Sequence, residues 1–328
     1  MFNHEAQPNT GRGFTMASIA LPKDHVNLRS YKNQEIWDIH KASADKVADV
    51  FSEFGDSPRD RAKIERLRQC AGYISFAWFN ENNQPKFHLV EAHYCRARYC
   101  PICAWRRSLM LKARFSQNIY DVIKSYPKAK FIFLTLTVKN VPVEELKKTL
   151  KEMNLAFKRM YQSERLKKFV LGYIRNVEVT RSKDDECHPH FHIILMVKSS
   201  YFSCFYVNQR EYTDMWRSAL RINYIPVVNV KTLQKQQDRE SVVKEIFKYC
   251  VKEQDIHFDK WYYDLMAQLK GARLITTSGA LRNVVKDVSP ETDQEMIHIN
   301  DNGIAERLSA NINFKWNRPI KRYRQAKD

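Results

Sequence analysis

Phe131-Ile-Phe-Leu-Thr-Leu-Thr-Val138 is the stretch that decides the fold. Its β-branched and aromatic residues, bounded by Pro127 and Asn140, read as a strand. Downstream, Leu146, Leu150, Met153, Phe157 and Met160 recur at spacings of 4, 3, 4 and 3, the apolar stripe of a helix. Residues 173–181 and 189–198 read as two strands around a charged turn at Asp184-Asp185, and Tyr212, Trp216 and Leu220 mark a second helix. Residues 227–230 then form a fourth strand and 241–252 a third helix. The order βαββαβ plus one helix predicts an α+β fold, a ferredoxin-like antiparallel sheet with helices on one face.

Working outward, composition divides the 328 residues into four stretches. Residues 1–65 are a polar N-terminal extension with one helix over 45–54, carried by Val47, Val50, Phe51 and Phe54. Residues 66–110 hold four of the seven cysteines, 111–260 are the central domain, and 261–328 are a C-terminal basic region. The 55 Lys+Arg against 37 Asp+Glu give a net charge of +18, which calls for a polyanionic partner, nucleic acid first and a membrane surface second. With 44% hydrophobic residues the chain can bury a core. Its 8 glycines form neither GxGxxG nor GxxxxGK[ST], which argues against a dinucleotide fold or a P-loop motor. The longest apolar stretches, 131–134 and 193–197, are strand-sized and far below the ~18 residues of a membrane span. The chain therefore reads as cytoplasmic, where cysteines stay reduced and clusters of them serve as metal ligands.

His188-Pro-His-Phe-His192 is the sharpest local signal. In a strand, His190 and His192 share a face while Phe191 and Ile193 point into the core. If the preceding turn centres on Asp185, Glu178 lies opposite His192 on that same face and completes a three-ligand metal site. His188 has the same parity but sits beside the turn, and ranks lower. Further on, Glu245, Tyr249 and Lys252 at i, i+4 and i+7 share one helix face. A phenol is a poor nucleophile at neutral pH; Lys252 can stabilise its phenolate, and Glu245 can act as a base on the same substrate.

Cys100-x₂-Cys103, with Cys95 five residues earlier and Cys70 before a hairpin at 73–79 and 87–90, forms a four-thiolate set suited to structural Zn²⁺. His93 is an alternative fourth ligand. Such a site would dock the hairpin and align Arg106, Arg107, Lys112 and Arg114 along one helix beside a nucleic acid. At the C-terminus Lys315, Arg318, Lys321, Arg322 and Arg324 alternate with Trp316 and Tyr323, a pattern that reads either as phosphate contact with base stacking or as a solvated tail.

Phe133-Leu-Thr-Leu-Thr-Val138, Asn176-Val-Glu-Val-Thr180, His188-Pro-His-Phe-His192 and Glu245-Ile-Phe-Lys-Tyr-Cys-Val-Lys252 resemble, in order, the motifs of rolling-circle plasmid replication initiators. These belong to the HUH endonuclease superfamily, in its single-tyrosine branch, and the similarity extends upstream to Cys95-Arg-Ala-Arg-Tyr-Cys-Pro-Ile-Cys103. The resemblance implies that 111–260 is the HUH endonuclease domain. It implies Mg²⁺ or Mn²⁺ held by His190 and His192, attack by Tyr249 on plasmid origin DNA to leave a 5′-phosphotyrosine and a 3′-OH, and Glu245 activating water in termination. Host helicase and DNA polymerase would be the partners, with no membrane. The family often has Pro after the tyrosine, where this chain has Cys250. An HUH transposase or relaxase, and a non-catalytic zinc-containing DNA-binding regulator, are the competing readings.

Overall fold

The strand beginning near Phe131 is the sixth of the elements in a computed structural model that describes residues 35–81, 84–233, 247, 258–285, 293–297, 299 and 310–326. The elements run α1 (Glu35–Phe54), α2 (Pro58–Gln69), β1 (Tyr73–Glu81), β2 (Gln84–Ala92), α3 (Pro101–Ser125), β3 (Lys130–Thr137), α4 (Leu146–Tyr161), α5 (Glu164–Lys167) and β4 (Val170–Arg181). They continue with β5 (Cys187–Val197), α6 (Gln209–Leu220), β6 (Val228–Thr232), α7 (Lys260–Gln268), β7 (Ile275–Gly279), α8 (Asp293–Ile297), β8 (Ala310–Asn317) and β9 (Arg322–Gln325). The protein is thus α+β with antiparallel sheets.

The larger sheet has the order β6-β3-β5-β4-β7, with every neighbouring pair antiparallel. One face packs on α4 and α6. Leu146, Leu150, Met153, Phe157 and Met160 are all buried there, as their spacing predicts, against Phe191, Ile193 and Leu195 of β5. Asn208 and Glu211 form a capping box that starts α6, and the Trp216 indole donates to the Thr137 carbonyl at 2.8 Å, tying that helix to the end of β3. The expected single layer of helices is incomplete. Leu111, Phe115, Ile119 and Val122 of α3 cover part of the opposite face, with Phe133, Ile174, Ile194 and Met196. These residues make a second apolar cluster because both faces of the central strands carry large aliphatic or aromatic side chains, so neither could face water alone.

The smaller sheet, β2-β1-β8-β9, changes the reading of both chain ends. The basic-aromatic C-terminal stretch is not a tail but a strand pair: Ile312 and Phe314 are buried, and β8 pairs with β1 from Tyr73↔Lys315 to Trp78↔Ala310. Period-two alternation was present there, hidden by the density of positive charge. Likewise the first helix begins ten residues before the expected Asp45 start. Its buried side includes Lys41 and Asp45, an ion pair at 3.3 Å, so polar residues break the apolar periodicity that sequence reading relies on. Lys41 also donates to the carbonyls of Leu67 and Arg68 at 3.2 and 2.7 Å, satisfying the C-terminal end of α2.

Gly279 and Gly172 face each other where β7 meets β4. Gly279 has φ +61°, and a Cβ on it would lie 2.2 Å from the Leu171 carbonyl oxygen and 2.8 Å from the Gly172 Cα. Both obstacles are backbone, so neither can swing aside. Gly279→Ala is expected to destabilise the fold by about 2–4 kcal/mol through combined left-handed strain and overpacking. Urea denaturation measures this as a lowered midpoint; an unchanged midpoint would mean that β7 does not sit so close.

Candidate active site

Glu178, His190 and His192 converge on one face of the larger sheet. Residues on β4 and β5 that share parity share a face, so the carboxylate and both imidazoles project together. Glu178 is fully buried, and each histidine is 9% exposed, at the edge of solvent. One carboxylate oxygen, Oε2, lies 2.7 Å from His192 Nε2 and 3.2 Å from His190 Nε2. The two imidazole rings are nearly perpendicular, with centroids 4.8 Å apart. All three ligand atoms fall within 4.8 Å of one another, a donor set that could hold a divalent cation.

The register differs from the one expected. Glu178 is opposite His190, and Asn176 is opposite His192. The cause is the turn: Asp185 adopts a left-handed conformation (φ 59°) after a turn closed by its N–H to the Ser182 carbonyl, so the loop centres on Asp184 rather than Asp185. A three-residue loop of this kind ends in a left-handed residue, which Asp tolerates. The shift moves the pairing by two positions, which preserves parity, and Glu178 still meets both histidines.

Neighbours orient the rings. The His192 Nδ1 lies 3.3 Å from Thr135 Oγ1, and its ring stacks on Phe133 at 5.4 Å between centroids. His190 Nδ1 lies 3.2 Å from the His188 carbonyl oxygen, so that nitrogen carries the hydrogen and Nε2 keeps its lone pair toward Glu178. His188 itself stays outside the cluster, its ring 5.4 Å from that of His190, and burial followed by the charge of His190 pulls its pKa below the ordinary value. Thr135 and Asn176 escaped sequence reading. Period-two parity on the strands flanking His192 is the signal that identifies them.

Glu245, Tyr249 and Lys252 lie outside the described residues. Phe247, between them in sequence, is buried against Phe115 at 5.5 Å, and its carbonyl accepts a hydrogen bond from Ser108 of α3. It belongs to the apolar cluster that contains Phe133, the residue stacked on His192.

The second cluster joins Cys70 at the end of α2, Cys95 after β2, Cys100 at the N-cap of α3 and Cys103 in its first turn. The sulfur separations are 3.5 Å for Cys70–Cys103 and 3.6 Å for both Cys95–Cys103 and Cys70–Cys100. That is too long for disulfides and close to the roughly 3.8 Å between thiolates on a tetrahedral Zn²⁺. Backbone N–H groups of Cys95 and Arg96 point at Cys70 and Cys103 sulfurs at 3.4 and 3.2 Å, as they would toward thiolates. Burial pushes the Cys100 thiol well up, whereas hydrogen bonds from Cys100 and Cys103 hold Cys95 well down. His93 pairs with Asp293 at 3.4 Å and its side chain is 73% exposed, so it is not the fourth ligand.

Among the expected nucleic-acid contacts, Arg106 is misplaced. It is buried, packed against the edge-to-face indoles of Trp37 and Trp105, and donates to the Met296 carbonyl at 2.9 Å, capping α8. Side chains one position apart on a helix point about 100° apart, and Arg106 falls on the inner side of α3. Arg107, Lys112 and Arg114 are half-buried on that helix; Lys321, Arg322 and Arg324 are exposed at the end of the smaller sheet.

No helix among the described residues is long and apolar enough to cross a membrane. No solved structure matches the chain. The sequence profile of a replication protein family matches residues 86–324. A "Protein rep" of Streptococcus pneumoniae serotype 2 (strain D39 / NCTC 7466) is 31% identical over 296 residues, covering 88% of this chain and 91% of its own. A "Protein rep" of Bacillus amyloliquefaciens is 35% identical over 252 residues, 69% of this chain and 73% of its own. A "Replication protein" of Staphylococcus aureus is 34% identical over 221 residues, 62% of this chain and 94% of its own. With both cysteine and histidine clusters inside or beside the matched span, the chain belongs to the replication-protein (Rep) family, the plasmid replication initiators that its motifs resemble.

Proposed function

We propose that this protein is a rolling-circle initiator, an HUH endonuclease that nicks one strand of plasmid origin DNA and joins itself to the 5′ end. The observation that carries the proposal is the buried Glu178 carboxylate meeting two histidine Nε2 atoms on adjacent strands. The strand order β6-β3-β5-β4, with α4 and α6 as crossovers on one face, supports the ferredoxin-like reading of the nuclease sheet.

Two histidines and one carboxylate suit Mg²⁺ or Mn²⁺, which would polarise the scissile phosphate and stabilise its developing charge. The protein's own residues do the rest. The His188 carbonyl holds the His190 ring in the tautomer that leaves Nε2 available, and Thr135 Oγ1 fixes the orientation of the His192 ring. Tyr249 follows Phe247 by two residues, at most about 7 Å of chain, and Phe247 is anchored in the cluster that borders His192. Its phenolate oxygen attacks phosphorus, the P–O3′ bond breaks, and the departing 3′ oxygen takes a proton to become the hydroxyl that a host polymerase extends. Lys252 stabilises the phenolate, and Glu245 activates water for the terminating cleavage. The phosphotyrosine conserves the bond energy, so no ATP is consumed, and unwinding falls to a host helicase. The cysteine cage holds Zn²⁺ as a structural ion.

Tyr249→Phe is expected to abolish both nicking and the covalent adduct on a single-stranded origin oligonucleotide with Mn²⁺, read on a denaturing gel. A surviving adduct would move the nucleophile to another tyrosine. Glu178→Ala should raise the Mn²⁺ concentration for half-maximal nicking by more than the roughly tenfold that loss of even an outer-shell partner costs. An unaltered titration would remove Glu178 from the ligand set. Elemental analysis of the purified chain should find one zinc per molecule, with Cys100→Ser losing it and melting at lower temperature; a zinc-free wild-type protein defeats the assignment.

A further inference from the structure

A cleft of about 1230 Å³ opens between α2, the cysteine knuckle, α7 and the start of β7. Among the described residues, eight cationic side chains line it against one carboxylate, Asp60. Lys63 pairs with Asp60 at 2.7 Å and Arg96 with Asp293 at 3.2 Å, so those two charges are partly neutralised. Arg59, Lys270, Arg273 and Arg282 have no ion-pair partner among the described residues, and all four are exposed. Arg98 donates to the Ala272 carbonyl, which fixes its position but leaves its charge intact. Such concentrated positive charge, supplied by segments far apart in sequence, is a site for a polyanion.

The aromatic lining narrows the occupant. Tyr99 and Tyr263 are half-buried, each presenting part of a ring to the cleft, and both are backed by Phe51 at 5.1 and 5.2 Å. Rings of this kind stack on bases, and bases offer their faces only when unpaired. A duplex keeps those faces stacked inside and offers only base edges and phosphates. The cleft also reaches the candidate active site: Asn176 lines it, and Asn176 is the residue opposite His192. The Leu274 carbonyl accepts from Val177 N–H at 2.9 Å, which sets Arg273 immediately beside the strand that carries Glu178.

We infer that this cleft binds a single-stranded DNA segment flanking the nick and leads it toward Glu178, His190 and His192. The inference rests on the nuclease reading above for what happens at the end of the path, but binding itself requires no chemistry. The test is therefore fluorescence anisotropy with the full-length protein, a labelled single-stranded oligonucleotide and its duplex, with no divalent ion added. Reversal of three charges together, Arg59→Glu, Arg273→Glu and Arg282→Glu, is expected to weaken single-strand binding more than tenfold. It should also flatten the slope of log affinity against log salt by about 2, at roughly 0.7 per phosphate contact. Tyr263→Leu should cost roughly fivefold or more without changing that slope. Lys148→Glu with Lys151→Glu, exposed on α4 across the sheet, should retain wild-type affinity. Milder Arg→Gln versions at the three positions guard against misfolding and should follow the same order. Single-strand binding within twofold of wild type in the cleft variants, an equal loss in the α4 variant, or tighter binding of the duplex would each overturn the inference. None of these readouts depends on nicking, so failure of the nuclease reading leaves them intact.

Discussion

A carboxylate without exposed surface is the constraint on which the larger sheet depends. Removing an ionised Glu178 from water costs several kcal/mol unless positive or hydrogen-bonding groups meet it. His190 and His192 bring their Nε2 atoms to it, and so make a place for a shared divalent cation, only in one register parity of β4 against β5. A slip of one residue would turn Val177 and Val179 toward the histidines and force Glu178 into the apolar layer under α4. Two-residue slips keep parity, and the left-handed Asp185 turn is what chooses among them. The hairpin loop and the buried acid therefore specify one arrangement from two directions.

The cysteine cage imposes a second constraint at a distance. It gathers the end of α2, the exit of β2 and the first turn of α3. From that anchor α3 runs 25 residues, about 37 Å, and its later turns lay Leu111, Phe115 and Ile119 over the face of the sheet that carries the histidines. Phe247, two residues before Tyr249 in sequence, packs against this same rod that the cage orients. A candidate metal cage and a candidate catalytic site are thus connected by one helix.

Much of this was legible in the chain. The strand at Phe131, the α4 stripe, the four cysteines and the histidine–glutamate grouping all follow from periods of 2 and 3.6 and from ligand spacing, because each is local or nearly local. What resisted reading was non-local or masked by charge. Nothing near Ile312 and Phe314 says that their partner strand lies more than 230 residues earlier, at Tyr73. The early half of α1 hid behind the buried Lys41 and Asp45, whose pairing satisfies what a hydropathy pattern counts as solvent-facing. The turn offset at Asp184 was a question of backbone handedness, which residue type biases but does not dictate.

The net charge of +18 illustrates why position outranks count. Lys41, Arg106 and Arg175 are buried cations: one caps α2, one caps α8 while lying against two indoles, and one lies over Phe191 at 4.2 Å. All three lie inside the fold, out of reach of a phosphate at the surface. Arg106 and Arg107 make the contrast sharpest, since adjacent residues of one helix divide between an aromatic interior and a basic cleft. A charge excess measures the pull toward a polyanion; helical phase and burial decide which of the cations exert it.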